Sequence, residues 1–357
     1  MESTRNAATR IAIVGAGMIG KRHLQVLLAD RAYAAAALAD PSPAAETLAR
    51  EHGIAWFADH RQMLDQTKPD GVVVATPNQL HVSVGLDCIA RKTPILVEKP
   101  LADSVGAAVA LVTAAQRAGV PVLTGHHRRH NPIMRRAAEL IAAGGIGRIT
   151  AVVAMWLSLK PDDYYNVAWR RERGGGTVLI NGIHDVDCLR MLCGEIDSVQ
   201  AFAASGVRNF PVEDTAAAAI RFASGAVGTV TISDAVSAPW SWEWGSQENP
   251  FYPHEGQNCY LITGTRGSLA VPTLEHWWHE PGQHWGDPLT RRRIPVRHED
   301  AYIGQMRNFA AVIAGREKPV VSGEDGARTL AATMAITESA AQGRPVTVEA
   351  MLKARGA

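Results

Sequence analysis

Charge of one sign is scarce in this 357-residue chain: 36 Lys and Arg against 35 Asp and Glu leave a formal net charge of +1. That balance offers no electrostatic footprint for nucleic acid. Long apolar runs are missing too. No stretch approaches the ~20 apolar residues that span a bilayer. Residues 1–10 are polar and lack the apolar core of a secretion signal. Cysteine is sparse: Cys88, Cys188, Cys193 and Cys259 form no Cys-x-x-Cys pair, and their spacing fits no zinc site. They read as reduced, mostly buried thiols of a cytoplasmic protein. There is no internal repeat and no low-complexity linker. What remains is a soluble globular chain too long for one ordinary core, so two domains are expected.

The richest local signal is Ile11-Ala-Ile-Val-Gly15-Ala-Gly17-Met18-Ile19-Gly20, a β-branched run that flows into Gly-x-Gly-x-x-Gly. Leu24, Leu27 and Leu28 follow at helical spacing. Strand, glycine turn and helix in that order are the context the motif needs. The first glycine allows the turn, the second lets a pyrophosphate approach, and the third lets helix and strand pack closely. The helix N-terminus then faces the phosphates with unpaired N–H groups. Asp40 stands twenty residues after Gly20, where a ribose-binding carboxylate is expected. A dinucleotide, NAD, is therefore the expected cofactor, held by Gly15, Gly17, Met18, Ile19, Gly20 and Asp40.

Up to about residue 125, apolar runs at 11–14, 34–39, 71–75, 95–97 and 120–123 alternate with helical stretches at 21–29, 44–52, 81–90 and 104–118. Continuous apolar strands between helices imply a doubly wound parallel sheet, with ligands outside the strand carboxyl ends. Gly15, Asp40, Thr76 and Glu98 fall at those ends. After Pro132 the strands alternate apolar and polar residues, as half-buried antiparallel strands do. The expected division is a dinucleotide-binding domain over 1–130 and an α+β domain over 131–357, with a large, mostly antiparallel open sheet. Helices near 183–192, 303–313 and 324–341 are expected to cover that second sheet. Trp240, Trp242 and Trp244 are expected on one side of an extended segment, as a subunit interface rather than a sugar platform.

Three clusters carry chemistry. Glu98-Lys99-Pro100 follows the fifth apolar run. A lysine beside a nicotinamide can hydrogen-bond a substrate hydroxyl and stabilise a developing alkoxide. The glycine-rich run Gly174 to Gly182 leads into His184 and Asp187, one helical turn apart. A neutral imidazole there can take a hydroxyl proton, while Asp187 orients it or holds a substrate hydroxyl. Thr76-Pro77-Asn78 opens a helix near the nicotinamide end of the cofactor. His81 either joins that contact or caps the helix. His126-His127-x-x-His130 has no carboxylate cluster, so no metal is expected. Arg291, Arg292, Arg293 and Arg297 read as a solvated face or subunit contact rather than a site for an anionic substrate.

With these motifs together the chain resembles the glucose–fructose oxidoreductase, inositol dehydrogenase and MocA family over nearly its whole length. The resemblance rests on the glycine triplet, Ala75-Thr76-Pro77-Asn78 with His81, Glu98-Lys99-Pro100, Trp169-Arg170 and His184-x-x-Asp187. It implies a Rossmann domain, NAD or NADP, and reversible oxidation of a ring hydroxyl on a sugar, cyclitol or related polyol. Lys99 and His184 match the family's catalytic lysine and histidine. Glu98, Trp169 and Arg170 are implied at the cofactor. His127 and Arg129 resemble the segment bordering the substrate pocket, with Asn181 and Asp187 as further substrate contacts. Homodimers or homotetramers through the C-terminal sheet are implied. One departure is Ile180, where many members carry an aspartate four residues before the histidine. Asn181 beside it is a partial replacement or a helix cap. Two other readings stay open: an NAD-dependent glycosidase that oxidises a sugar transiently and eliminates the aglycone, and a non-catalytic NAD-binding sensor. The presence of both Lys99 and His184 argues against the sensor.

Overall fold

The computed structural model describes residues 8–354. Its first sheet is built from β1 (Thr9–Val14), β2 (Tyr33–Ala39), β3 (Ala55–Phe57), β4 (Gly71–Val74), β5 (Ile95–Val97) and β6 (Val122–Thr124). The helices between them are α1 (Met18–Ala29), α2 (Pro43–Glu51), α3 (His60–Thr67), α4 (His81–Ala90) and α5 (Val105–Ala118). Strand order is β3-β2-β1-β4-β5-β6, with every pair parallel. The order reverses between β1 and β4, which opens the crevice where such sheets bind ligands. Val72, Val73 and Val74 are fully buried, as strands covered on both faces require. The short β3 and α3 carry too weak a pattern to stand out in the sequence.

The second sheet has nine strands in the order β14-β13-β12-β11-β7-β10-β9-β8-β15. In chain order the elements are α6 (Pro132–Ala142), β7 (Ile149–Leu157), α7 (Ile183–Cys193), β8 (Ile196–Ala204), β9 (Thr215–Phe222) and β10 (Val227–Ser233). Then come α8 (Trp242–Ser246), β11 (Tyr260–Gly264), β12 (Ser268–Val271), β13 (Glu275–Trp278), β14 (Thr290–Arg293), α9 (Ala301–Ile313), α10 (Gly323–Gln342), β15 (Val346–Thr347) and α11 (Val348–Lys353). All pairs are antiparallel except β10 with β7. One face is buried. On the other, Val153 pairs across the ladder with Leu261, and both stay exposed, as do Phe202 and Val227.

Two compact units form: residues 8–127 with 302–327, and 128–301 with 328–354. A single body over 131–357 is therefore not what forms. The apolar side of α9, with Met306, Phe309, Ala310 and Val312, completes the core around Ile11, Ile13 and Leu38 in the first unit. Gly71 makes room for it, since a Cβ there would lie 2.8 Å from Phe309 Cζ. So α9 does not serve the second sheet. Trp240 to Trp244 also depart from expectation. They are not one extended row, because α8 begins at Trp242, burying Trp242 and leaving Trp240 43% exposed. Glu243 in its first turn accepts hydrogen bonds from Trp156 Nε1 at 2.9 Å and Arg128 Nη2 at 2.6 Å, which hold the segment in a helical turn. All four cysteines are buried and unpaired. Among the described residues no helix is long and apolar enough to cross a membrane.

Candidate active site

Gly15 ends β1 at φ +99°, a region that L side chains rarely adopt, and a Cβ there would meet the Ala75 backbone. Gly20 has its missing Cβ against the carbonyl of Gly15. These are the turn and close-packing roles expected of the first and third glycines. Around Gly17 a Cβ would touch nothing within 4 Å, Met18 is 81% exposed, and no side chain caps α1. The second glycine thus leaves an open approach to an uncapped helix N-terminus, which fits a pyrophosphate. Asp40 ties its carboxylate to this loop, accepting from Ala16 N and Ser42 N at 2.8 Å each. Burial raises its pKa, but the hydrogen bonds from Ser42 and Ala16 outweigh that and leave it below the ordinary carboxylate value. Asp40 is therefore ionised and anchored at the end of β2, as a ribose ligand needs to be. Trp56 Nε1 donates to the Asp40 carbonyl at 3.0 Å and fixes that strand end.

The Thr76 turn and the Lys99 turn are linked through His81. Its Nδ1 lies 2.8 Å from Pro100 O and its Nε2 2.9 Å from Thr76 O. His81 is thus buried between two backbone carbonyls and acts on the site by joining two turns rather than by capping α4. Burial holds its pKa below the ordinary histidine value, against the opposing pull of the carbonyls. Thr76 Oγ1 is buried with no hydrogen-bond partner, an acceptor and donor that a bound molecule would satisfy. The Lys99–Pro100 peptide is cis.

Glu98 is engaged inside the first unit. Its Oε1 lies 2.7 Å from Nε2 of His23, which is fully buried, and its Oε2 accepts from the Lys99 amide at 3.2 Å. His127 stacks on Tyr302 with ring centroids 4.5 Å apart, and Tyr302 meets His23 edge-on. His23 and Tyr302 were not singled out in the sequence. Yet Gly20, His23, Leu24 and Leu27 are buried together on α1. A histidine on an apolar i, i+3, i+4, i+7 stripe was the available signal.

In the second unit the glycine-rich run is a packing device. Gly175 lies against the backbone of Trp169 and Arg170, and Gly176 against the Glu213 carboxylate, which accepts from Val178 N at 3.0 Å. A π-turn, Val178–Gly182, then feeds α7 and carries Ile180 and Asn181. Such turns recur at functional sites. Asn181 Oδ1 is buried without a hydrogen-bond partner. His184 sits in the first turn of α7, 9% exposed. Trp169 is 47% exposed, and Arg170 donates to Tyr164 O at 2.6 Å with its guanidinium 3.9 Å from the Tyr164 ring centre.

Asp187 is held in a buried ion pair. It is 1% exposed, and its two oxygens accept from Arg129 Nε and Nη2 at 2.8 Å each, with Thr329 Oγ1 also donating at 2.8 Å. A bidentate buried pair of this kind fixes α7 to the preceding segment. A parallel clamp lies next to it. Arg128 Nη1 lies 3.5 Å from Asp185, to which Tyr260 also donates. Burial pushes the Asp185 carboxyl up to about 7, against the pull of Arg128. Among the described residues no group of three His, Cys, Asp or Glu is placed to hold a metal ion. Arg291 and Arg292 lie on the edge strand β14, over the rings of Trp277 and Trp278.

Residues 9–126 match the oxidoreductase family with an NAD-binding Rossmann fold, and residues 134–270 match the GFO/IDH/MocA C-terminal domain. The chain is 30% identical to 1,5-anhydro-D-fructose reductase of Ensifer adhaerens over 95% of its own length and 98% of that protein's. The chain belongs to the Gfo/Idh/MocA oxidoreductase family. It is a dehydrogenase with NAD as its cofactor. Another member, scyllo-inositol 2-dehydrogenase (NAD(+)) of Bacillus subtilis, is 28% identical over 95% of this chain and 96% of that one. Among solved structures, the WlbA dehydrogenase of Bordetella pertussis, in complex with NADH and UDP-GlcNAcA, is 25% identical with a TM-score of 0.77, covering 95% of this chain and 98% of that one.

Proposed function

We propose that this family member transfers a hydride between a hydroxyl-bearing ring carbon of a sugar, cyclitol or related polyol and NAD. The observation that carries the substrate class is the end-to-end match to a protein named as an anhydro-sugar reductase. In this reading the first unit holds the cofactor, with Asp40 on the ribose, the uncapped start of α1 on the pyrophosphate, and Thr76, Pro77 and Asn78 toward the nicotinamide. Bound NAD supplies the hydride acceptor. Lys99 donates a hydrogen bond to the substrate oxygen and stabilises charge that grows there in the transition state. His184 takes the hydroxyl proton on its imidazole. Asn181, with its unpartnered buried oxygen, offers an acceptor to a substrate hydroxyl; His127 is a further substrate contact, and Trp169 and Arg170 are cofactor contacts in this reading. The exposed apolar face around Val153 and Leu261 forms the subunit contact of a dimer or tetramer.

The test is a panel of cyclic polyols, anhydro-sugars and aryl glycosides, followed at 340 nm and by aglycone release. NADH formation with a polyol or sugar, lost in Lys99→Ala and His184→Asn while both variants still bind NAD, supports the reading. Aglycone release without NADH accumulation would replace it with a redox-neutral glycosidase.

A further inference from the structure

We propose that His23 and Glu98 form a positioning pair that fixes the turn bearing Lys99 and keeps the Lys99 ammonium charged during turnover. The inference deepens the reading above and rests on the catalytic role given there to Lys99.

The pair is enclosed. His23 is 0% exposed and Glu98 is 6% exposed, with 2.7 Å between Nε2 and Oε1. The second carboxylate oxygen takes the backbone N–H of Lys99 itself. Gly125 at the end of β6 makes the space, because a Cβ there would lie 2.9 Å from the Glu98 carboxyl. The sequence therefore omits a side chain at 125 and inserts a histidine into the apolar stripe of α1, and both choices serve one carboxylate. Stability alone does not account for that arrangement. Removing a carboxylate from water costs several kcal/mol, and well-packed apolar side chains of similar volume are often as stable. Placed next to Lys99, the arrangement has a use.

The charge on Glu98 is secure. Burial raises its pKa, but the His23 hydrogen bond and the neighbouring charges together outweigh this and hold it below the ordinary glutamate value. The Lys99 ammonium also favours the carboxylate. The other groups facing the pair are the Tyr302 ring, 5.5 Å from His23 and covered by Arg22 at 5.4 Å, and His81, which holds the far side of the turn through Pro100 O. A fixed negative charge close to an ammonium favours its protonated form. A lysine that must donate to a substrate oxygen needs that form through the whole cycle. The turn also needs fixing, since a displacement of about 1 Å can lower a rate ~10²-fold. Glu98 meets both needs, through its charge and through its bond to the Lys99 amide. His23 keeps that charge in place without reaching the substrate.

The test uses Glu98→Gln, which keeps the shape and an acceptor for the Lys99 amide but removes the charge. Two readouts are taken on the full chain. The first is the pH dependence of Lys99 acylation in the cofactor-free protein, followed by mass spectrometry, which reports the titration of that side chain without turnover. The second is the pH–kcat profile with the substrate found above. In Glu98→Gln, half-maximal acylation and the alkaline limb should both move to lower pH by about one unit, and kcat should fall about tenfold with KM little changed. His23→Gln should reproduce the direction of both shifts. Thermal unfolding confirms that the variants are folded. A folded Glu98→Gln with unshifted acylation overturns the proposal while leaving Lys99 catalytic. If Lys99→Ala keeps activity, the reading of Lys99 fails and takes the pair's role with it. The two failures are thus separate.

Discussion

Removing the Asp187 carboxylate tests whether it belongs to the scaffold or to the substrate. Its two oxygens take two N–H groups of Arg129 and the hydroxyl of Thr329, and Arg190 Nη1 stands 4.0 Å away. In Asp187→Ala the Arg129 guanidinium, itself 9% exposed, loses its bidentate partner. Breaking a buried pair by deleting one member costs roughly 3–5 kcal/mol. At roughly 2–4 °C per kcal/mol for a body of 150–250 residues, Tm should fall by roughly 6–20 °C. The double variant Arg129→Leu/Asp187→Leu leaves neither charge stranded and should be more stable than either single leucine variant. Urea unfolding of the four-member cycle gives the coupling. In Asp187→Asn, assayed well below its Tm, KM should stay within about threefold of wild type, because both oxygens are taken up by Arg129 and Thr329. kcat should fall as the first turn of α7 loosens around His184. A stable Asp187→Ala protein with KM raised tenfold or more would refute the scaffold role and return this carboxylate to the substrate.

Coenzyme choice should follow Asp40: kcat/KM should favour NAD over NADP at least tenfold, because an anchored anion repels a 2′-phosphate, and Asp40→Ala should erase most of that ratio. NADP preferred by the wild type would sink the assignment. Asp185 should make the protein less stable as pH rises from about 4 to 7: the native state keeps its proton up to about 7 while the unfolded chain releases it near 3.8. Asp185→Asn should flatten that slope, and an identical difference between urea midpoints at pH 5 and pH 8 in both proteins would show the carboxyl is not responsible. A charge on the open sheet face, as in Val153→Glu with Leu261→Glu, should lower the mass seen by analytical ultracentrifugation with the far-UV spectrum unchanged; unaltered mass would place the subunit contact elsewhere.

The parts legible in the sequence share one property: partners that are close in the chain or chemistry that is general. The glycine triplet and Asp40 announce a β-turn-α unit and its ligand because every residue of the signal lies within one supersecondary motif. Glu98-Lys99-Pro100 and the His184 segment were readable as chemistry. The hydrogen bonds that hold them were not. His23 is 75 residues from Glu98, and Arg129 is 58 from Asp187. Nothing local says which buried carboxylate takes which partner, so the internal pairs that Asp187 and Glu98 close were not readable. The tryptophan row failed for a different reason. A period of two was read where a single short helix forms, and three residues are too few to tell the periods apart.

The return of α9 to the first core has a consequence for biosynthesis. The strands that define the dinucleotide crevice leave the ribosome early, yet Met306, Phe309 and Val312, which close the core around Ile11 and Leu38, come only after residues 128–301 have been made. At synthesis rates of 5–20 residues per second that is a wait on the order of ten to tens of seconds. Throughout it the nascent sheet carries an uncovered apolar groove and an empty place beside Gly71. The crevice therefore belongs to the finished chain. A fragment ending near residue 130 would carry every residue of the nucleotide fingerprint and still lack the helix that completes its interior.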